Sequence, residues 1–361
     1  VIFALVLSKL LIICLLNLIS TIAVVAGLKE FKAPNSLLAS FTILTSETNQ
    51  AFPKGFIPVI FDSTALPCDV MTHPQFNILN ISNNAHGTYY NIKQFQEWAK
   101  HPLLVASDLE RGIGQWNSEG TLFPTNMAFA ATQDTDKTYK QGKITAEEAR
   151  ALGIHITFSP VLDINNNPAN PIINFRSYGD NAETVIKFSL PYIHGIQSQG
   201  IIACGKHFPG HGDTDTDSHT SLPIINKKTQ DLFNEELLPF KNACLKGIRS
   251  VMVAHVLFPN LDKNNPATFS KKITKNILRD KWNYDGLIIT DALEMGALSN
   301  HTWHGESAVK AIEGGADIIL LPIDAGEAIN SIFKAIESGR ISIDRIEQSF
   351  NRIINEKEKL G

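Results

Sequence analysis

The stretch GIIACGKHFPGHGDTDTDSHTSLP, residues 200–223, passes from one kind of structure to another. IIACG is a short apolar run and reads as a buried strand. Pro209, Gly210 and Gly212 then exclude a helix, so the side chains around them sit on a loop leaving a strand end. That loop holds Lys206, His207, His211, Asp213, Asp215, Asp217 and His219. A core has no use for so many titratable groups, because burying each one unpaired is costly. A solvated charged loop would not ordinarily mix them with Phe208 and Pro209, so chemistry is expected here.

The strand belongs to a rhythm. Apolar runs rich in Val and Ile occur at FIPVIF (56–61), FNILNIS (76–82), PLLVASD (102–108) and GIHITFSPV (153–161). They continue with GIIACGKH (200–207), RSVMVAH (249–255), DGLIITD (285–291) and ADIILLP (316–322). Between them lie helix-like stretches such as YNIKQFQEWAK, KQGKITAEEARALG and NAETVIKFSLPYIHGIQSQG. Near-continuous apolar strands separated by helices predict a parallel sheet covered on both faces. Eight of them predict an α/β fold of the (β/α)8 TIM-type barrel class, irregular at its first strands and preceded by an apolar N-terminal helix. A doubly wound open sheet is the alternative, but no glycine-rich nucleotide loop follows an early strand. Within a barrel, Asp108, Lys206, His207, His255 and Asp291 all fall at C-terminal strand ends, the face that carries active sites.

Composition narrows the function. With 361 residues, 43% of them hydrophobic and 19% charged, the chain is long and apolar enough to bury a large core. A net charge of -4 supplies no basic field, so nucleic acid is not an expected partner. Cys14, Cys68, Cys204 and Cys244 are far apart and predict neither a zinc site nor a disulfide framework. Asp213, Asp215 and Asp217 form a DxDxD pattern, yet Ser218 and Ile224 stand where a calcium loop needs Gly and Glu. No metal or other cofactor is expected. Residues 1–27 are almost wholly apolar, with Lys9 the one charge, and read as a signal peptide or membrane anchor. Residues 28–54 read as a linker and 55–361 as the catalytic barrel. The expected location is the cell envelope, periplasmic or membrane-anchored, with the cytoplasm as the alternative, and a monomer is expected.

Asp291 ends an apolar strand before the helix-like Ala-Leu-Glu-Met. It reads equally as an N-cap or as a carboxylate aimed at a substrate. Asp217 and His219, spaced i, i+2 on an extended loop, point to one side. A carboxylate accepting from one imidazole nitrogen frees the other for proton transfer. A carboxylate nucleophile and an acid/base histidine together give the retaining glycosidase scheme, with His in place of the usual second carboxyl group.

KHFPGHGDTDTDSH (206–219) closely resembles the K-H-F-P-G-H-G…D-S-H loop of glycoside hydrolase family 3 β-N-acetylhexosaminidases. ITDALEM (289–295) resembles that family's nucleophile segment. FPTNMAFAATQD (123–134), FSPVLDINNNPANPIINFRSYGD (158–180) and AIESGRISIDRIEQSFNRII (335–354) resemble further blocks. The likeness runs from about Lys100 to Lys359 and fades upstream. It implies Asp291 as nucleophile and His219, polarised by Asp217, as general acid/base. It also implies Asp108, Arg176, Lys206 and His207 as holders of the sugar hydroxyls, although Arg176 could instead be a structural ion-pair partner. The D-S-H loop implies the branch that removes terminal GlcNAc from cell-wall muropeptides or related β-glycosides, so a small carbohydrate is the expected partner. A phosphorylase of the same fold and a non-catalytic carbohydrate-binding protein are the alternatives. The sequence departs from the family pattern where D-Q-E-G-G is Asp108-Leu109-Glu110-Arg111-Gly112, in its hard-to-find first strand, and in the apolar residues 1–27.

Overall fold

The computed structural model describes residues 42–43, 56–59, 84–99, 101–215, 218, 221–299 and 303–361. Eight strands form one sheet: β1 (Thr42–Ile43), β2 (Phe56–Val59), β3 (Leu104–Ser107), β4 (Ile156–Thr157), β5 (Ile202–Phe208), β6 (Ser250–Val253), β7 (Leu287–Ala292) and β8 (Ile318–Leu320). Their order is β1-β8-β7-β6-β5-β4-β3-β2. Every neighbouring pair from β3 to β8, and β8 with β1, is parallel.

The longer helices are α1 (Ala85–Trp98), α2 (Thr135–Ala151), α3 (Ala182–Gln197), α4 (Leu237–Leu245), α5 (His304–Gly314), α6 (Ala325–Glu337) and α7 (Ile343–Glu358). Asp134 caps α2 and Asn181 caps α3, each accepting a hydrogen bond from a backbone N–H of the first turn. Small residues then let these two helices meet closely. A Cβ added at Gly142 would lie 2.4 Å from the Tyr192 carbonyl, and one at Gly195 would lie 2.3 Å from that of Tyr139. The β6–β7 connection instead winds as a π-helix over Thr274–Lys281.

Alternation along the strands shows how the sheet bends. Leu104, Ala106, Ile156, Ile202, Cys204, Met252, Leu287, Ile289, Ile318 and Leu320 pack together in one cluster. These residues come from every strand between β3 and β8. One face can converge this way only if the sheet curls around it. The opposite face, with Val105, Ala203, Val251, Val253, Ile288 and Ile319, packs into the helical layer. Burying both faces explains why the strands read as unbroken apolar runs.

One expectation is corrected. β2, within the run expected to open a parallel barrel, pairs antiparallel with β3. An apolar run has no direction of its own; direction is inferred from a crossover helix, and residues 62–75 offered none. The described strands form a curled parallel half-barrel, in keeping with the TIM-type class expected, and among the described residues no pairing joins β1 to β2. β1 falls inside the stretch 28–54 that reads as a linker. The run 76–82 and the apolar stretch 1–27 lie outside the described residues. Among the described residues no helix is long and apolar enough to cross a membrane.

The N-terminal end of the sheet is closed by ion pairs. Asp317, fully buried just before β8, accepts from Arg279 at 2.5 Å, Ser349 at 2.6 Å and the Ile288 N–H at 2.9 Å. Arg352 stands 3.4 Å and Arg345 3.7 Å away. Three arginines hold the Asp317 carboxyl below its ordinary range against the opposing effect of burial. This end is structural, and the other end is open.

Candidate active site

At the C-terminal end of the sheet a cavity of about 490 Å³ opens between the strand ends. Asp108, the residue after β3, Lys206 and His207 in β5, Arg176 after the β4 strand and Asp291 in β7 all line it. His255 does not. It is fully buried behind the wall, with Nδ1 2.6 Å from Thr268 Oγ1 and Nε2 2.8 Å from the Ala292 carbonyl. A carbonyl only accepts, so Nε2 carries the proton and His255 braces the chain beside Asp291.

Two cations and two carboxylates form one network on the cavity wall. Lys206 Nζ is 2.6 Å from Asp108 Oδ1 and 2.8 Å from Glu110 Oε1. Arg176 grips Glu110 with two bonds, Nε to Oε2 at 2.9 Å and a terminal nitrogen to Oε1 at 2.7 Å. Burial acts against charge on Glu110, but Lys206 and Arg176 outweigh it and hold the carboxyl far below its usual range. Burial would likewise lower Lys206, and Asp108 and Glu110 instead raise it. Glu110, Lys206 and Arg176 stay ionised. Lys206 keeps one N–H, and Asp108 keeps Oδ2, unengaged by any described residue. An N–H donor beside a carboxylate acceptor suits adjacent hydroxyls of a sugar.

Asp291 is half-buried and takes one hydrogen bond, from the Ala292 N–H at 2.9 Å. Burial raises its carboxyl, but His207, His255, the Ala292 N–H and Lys206 prevail and hold it below the ordinary range. It is a carboxylate at the cavity wall, kept negative.

His207 and His211 are anchored by one residue that the sequence reading did not single out. Asp163 is fully buried and accepts from the His207 N–H at 3.1 Å and the His211 N–H at 2.7 Å. Its Oδ2 also lies 2.7 Å from His207 Nδ1. The signal was available: Asp163 follows the β4 run as Asp108 follows the β3 run. Glu110 was visible only as part of a family pattern, and Trp116 not at all. Its ring nitrogen donates to the Asp108 carbonyl at 2.5 Å.

Asp217 and His219 lie outside the described residues. The residue between them, Ser218, is buried and lines the cavity. Ser218 Oγ is 3.0 Å from His211 Nε2, and its carbonyl accepts from Ala297 N–H at 3.2 Å. His211, pushed down to about 4 by burial and by neighbouring His207, is a neutral ring at pH 7. Gly212 is required next to it: a Cβ there would sit 1.6 Å from the Ile164 carbonyl. The peptide bonds Lys206–His207 and Phe208–Pro209 are cis.

A curled parallel α/β sheet with carboxylates and cations gathered at its C-terminal strand ends defines a half-barrel domain of the glycosidase type. Residues 75–356 match the model of the glycosyl hydrolase family 3 N-terminal domain, and the chain belongs to that family. A "Beta-N-acetylglucosaminidase/beta-glucosidase" of Cellulomonas fimi is 30% identical over 280 residues, covering 75% of this chain and 50% of the relative. A solved family 3 β-N-acetylglucosaminidase from a Paenibacillus strain is 40% identical with a TM-score of 0.74, over 77% of this chain and 54% of that one. The solved "Beta-glucoside phosphorylase BglX" is 28% identical with a TM-score of 0.73, over 77% and 52%. The chain spans about half the length of these relatives.

Proposed function

We propose that this chain is a retaining exo-β-N-acetylglucosaminidase that removes terminal GlcNAc from cell-wall muropeptides or related β-glycosides. The observation that carries the reading is Asp291, an ionised carboxylate facing a cavity whose wall offers paired donors and acceptors for a sugar. In the first step an Asp291 oxygen bonds to the anomeric carbon as the glycosidic C–O bond breaks. The leaving oxygen takes a proton from His219, which Asp217 polarises. In the second step His219 removes a proton from water, the water oxygen bonds to the anomeric carbon, and the Asp291 carboxylate departs. Two displacements at one carbon return the original configuration. An ionised Asp291 also stabilises the positive charge that develops on the ring.

Asp108 Oδ2 and the remaining Lys206 N–H bind the hydroxyls, with Arg176 and His207 completing the pocket. Arg176 is at once a lining residue and an ion-pair partner of Glu110. The N-acetyl preference rests on the D-S-H loop and on similarity to the Paenibacillus enzyme. Placement in the cell envelope rests on the apolar residues 1–27 alone.

A second reading is favoured by the likeness to a phosphorylase. Phosphate would then replace water in the second step, and a neutral His219 would not repel it as a carboxylate would. The test is release of p-nitrophenol from the GlcNAc and glucose glycosides, with and without phosphate. Hydrolysis of the GlcNAc glycoside and little of the glucoside is expected. GlcNAc 1-phosphate as the main product would select the phosphorylase, and no turnover of either glycoside would leave a binding protein.

A further inference from the structure

The basic groups at the strand ends are matched to carboxylates: Lys206 and Arg176 to Asp108 and Glu110, His207 to Asp163. Arg111, which also lines the cavity but is exposed, is not. Its Nε donates to the Phe123 carbonyl at 3.0 Å. Its backbone N–H donates to Gln115 Oε1 at 3.1 Å, and its carbonyl accepts from the Phe123 N–H at 2.9 Å. Gly112 holds the adjoining turn at φ 79°, with no room for a Cβ 2.5 Å from the Thr121 carbonyl. The arginine is thus fixed in place at three points. Neither terminal nitrogen has a hydrogen-bond or carboxylate partner among the described residues. Glu294, another lining carboxylate, makes no ion pair with it.

A guanidinium held by Nε alone presents its two terminal nitrogens as a fork, the shape that takes a carboxylate through two bonds. The same wall carries Trp116 and Phe175, whose ring is 55% exposed, giving an apolar surface beside the cation. An anion entering this cavity meets Asp108, Glu110, Asp291 and Glu294, while Lys206 and Arg176 are already engaged by carboxylates, so its acceptance favours a further positive group. We propose that Arg111 forms the aglycone subsite and selects aglycones bearing a carboxylate close to the scissile bond. This rests on the glycosidase reading above.

The test compares two aryl GlcNAc glycosides, p-nitrophenyl and 3-carboxy-4-nitrophenyl, on wild type, Arg111→Gln and Arg111→Lys. The ratio of their kcat/KM values removes the intrinsic difference between leaving groups. Arg111→Gln is expected to lower the acidic-over-neutral ratio by about five- to tenfold. Arg111→Lys should keep part of it, and added salt should shrink the wild-type ratio. An unchanged ratio in Arg111→Gln overturns the proposal. If wild type turns over neither glycoside, the glycosidase reading fails, and binding decides the subsite. Calorimetry with N-acetylmuramic acid and its methyl ester should then show a preference for the acid that Arg111→Gln abolishes. Equal binding of the two by wild type overturns the proposal.

Discussion

Arg176 and Glu110 are joined by two parallel hydrogen bonds of 2.9 and 2.7 Å, and Lys206 shares the same carboxylate at 2.8 Å. Glu110 therefore holds both Arg176 and Lys206. Replacing it by Gln leaves two positive charges facing each other over a neutral amide. Glu110→Gln should cost about 2–3 kcal/mol of stability, read from urea unfolding at pH 7. Its loss also has a pH signature. The folded carboxyl lies far below its unfolded value near 4.5, so its stabilisation is complete above that pH and fades as pH falls further. The variant should lose part of the wild-type decline below about pH 4.5.

Asp163→Asn tests whether anchoring the loop matters to chemistry. Asn offers one acceptor where His207 and His211 now share two carboxylate oxygens. An unmatched buried donor costs about 1–3 kcal/mol, so kcat/KM on the aryl GlcNAc glycoside should fall roughly 5- to 150-fold. An unaffected rate would show that the anchoring is only structural.

Gly212→Ala should be more damaging than its size suggests, because the new methyl would lie 1.6 Å from the Ile164 carbonyl. The loop must move. Loss of most activity, with a melting temperature lowered by several degrees, is expected, whereas Gly200→Ala meets no atom within 4 Å but carries strain from its φ of 84°.

At the opposite end of the sheet, Asp317→Ala would strand Arg279, Arg345 and Arg352 around an empty site. A cost of about 3–5 kcal/mol is expected, with kcat per folded molecule retained, since none of these residues lines the cavity. Denaturant unfolding and active-site titration separate the two effects.

Much of this was legible in the sequence. β5 and β7 were, because strands buried on both faces leave unbroken apolar runs, and Lys206, His207 and Asp291 fall where those runs end. The antiparallel direction of β2 was not, since side-chain polarity is the same whichever way a strand runs. Nor was the partnership of Glu110 with Arg176, 66 residues apart, or that of Asp163 with His207, 44 apart. Such pairs are set by neighbouring strand ends in space and leave no spacing rule behind. Arg176 shows the limit well: in the sequence its two readings, ion pair and sugar ligand, stand as alternatives, and the geometry allows both together.

As the proposed nucleophile, Asp291 also sets the acid side of the pH profile. His207, His255 and Lys206 outweigh burial in holding Asp291 below the ordinary carboxylate range, so it is negative above about pH 4. The limb of kcat/KM that reports its ionisation should therefore lie below that pH.

The most direct measurement is covalent trapping. A 5-fluoro glycosyl fluoride of GlcNAc should react with the nucleophile and turn over slowly enough for mass spectrometry of the intact protein and its peptides. The expected result is one added sugar on the peptide carrying Asp291, absent in Asp291→Ala together with turnover. A label on another residue, or normal activity in Asp291→Ala, would contradict the account.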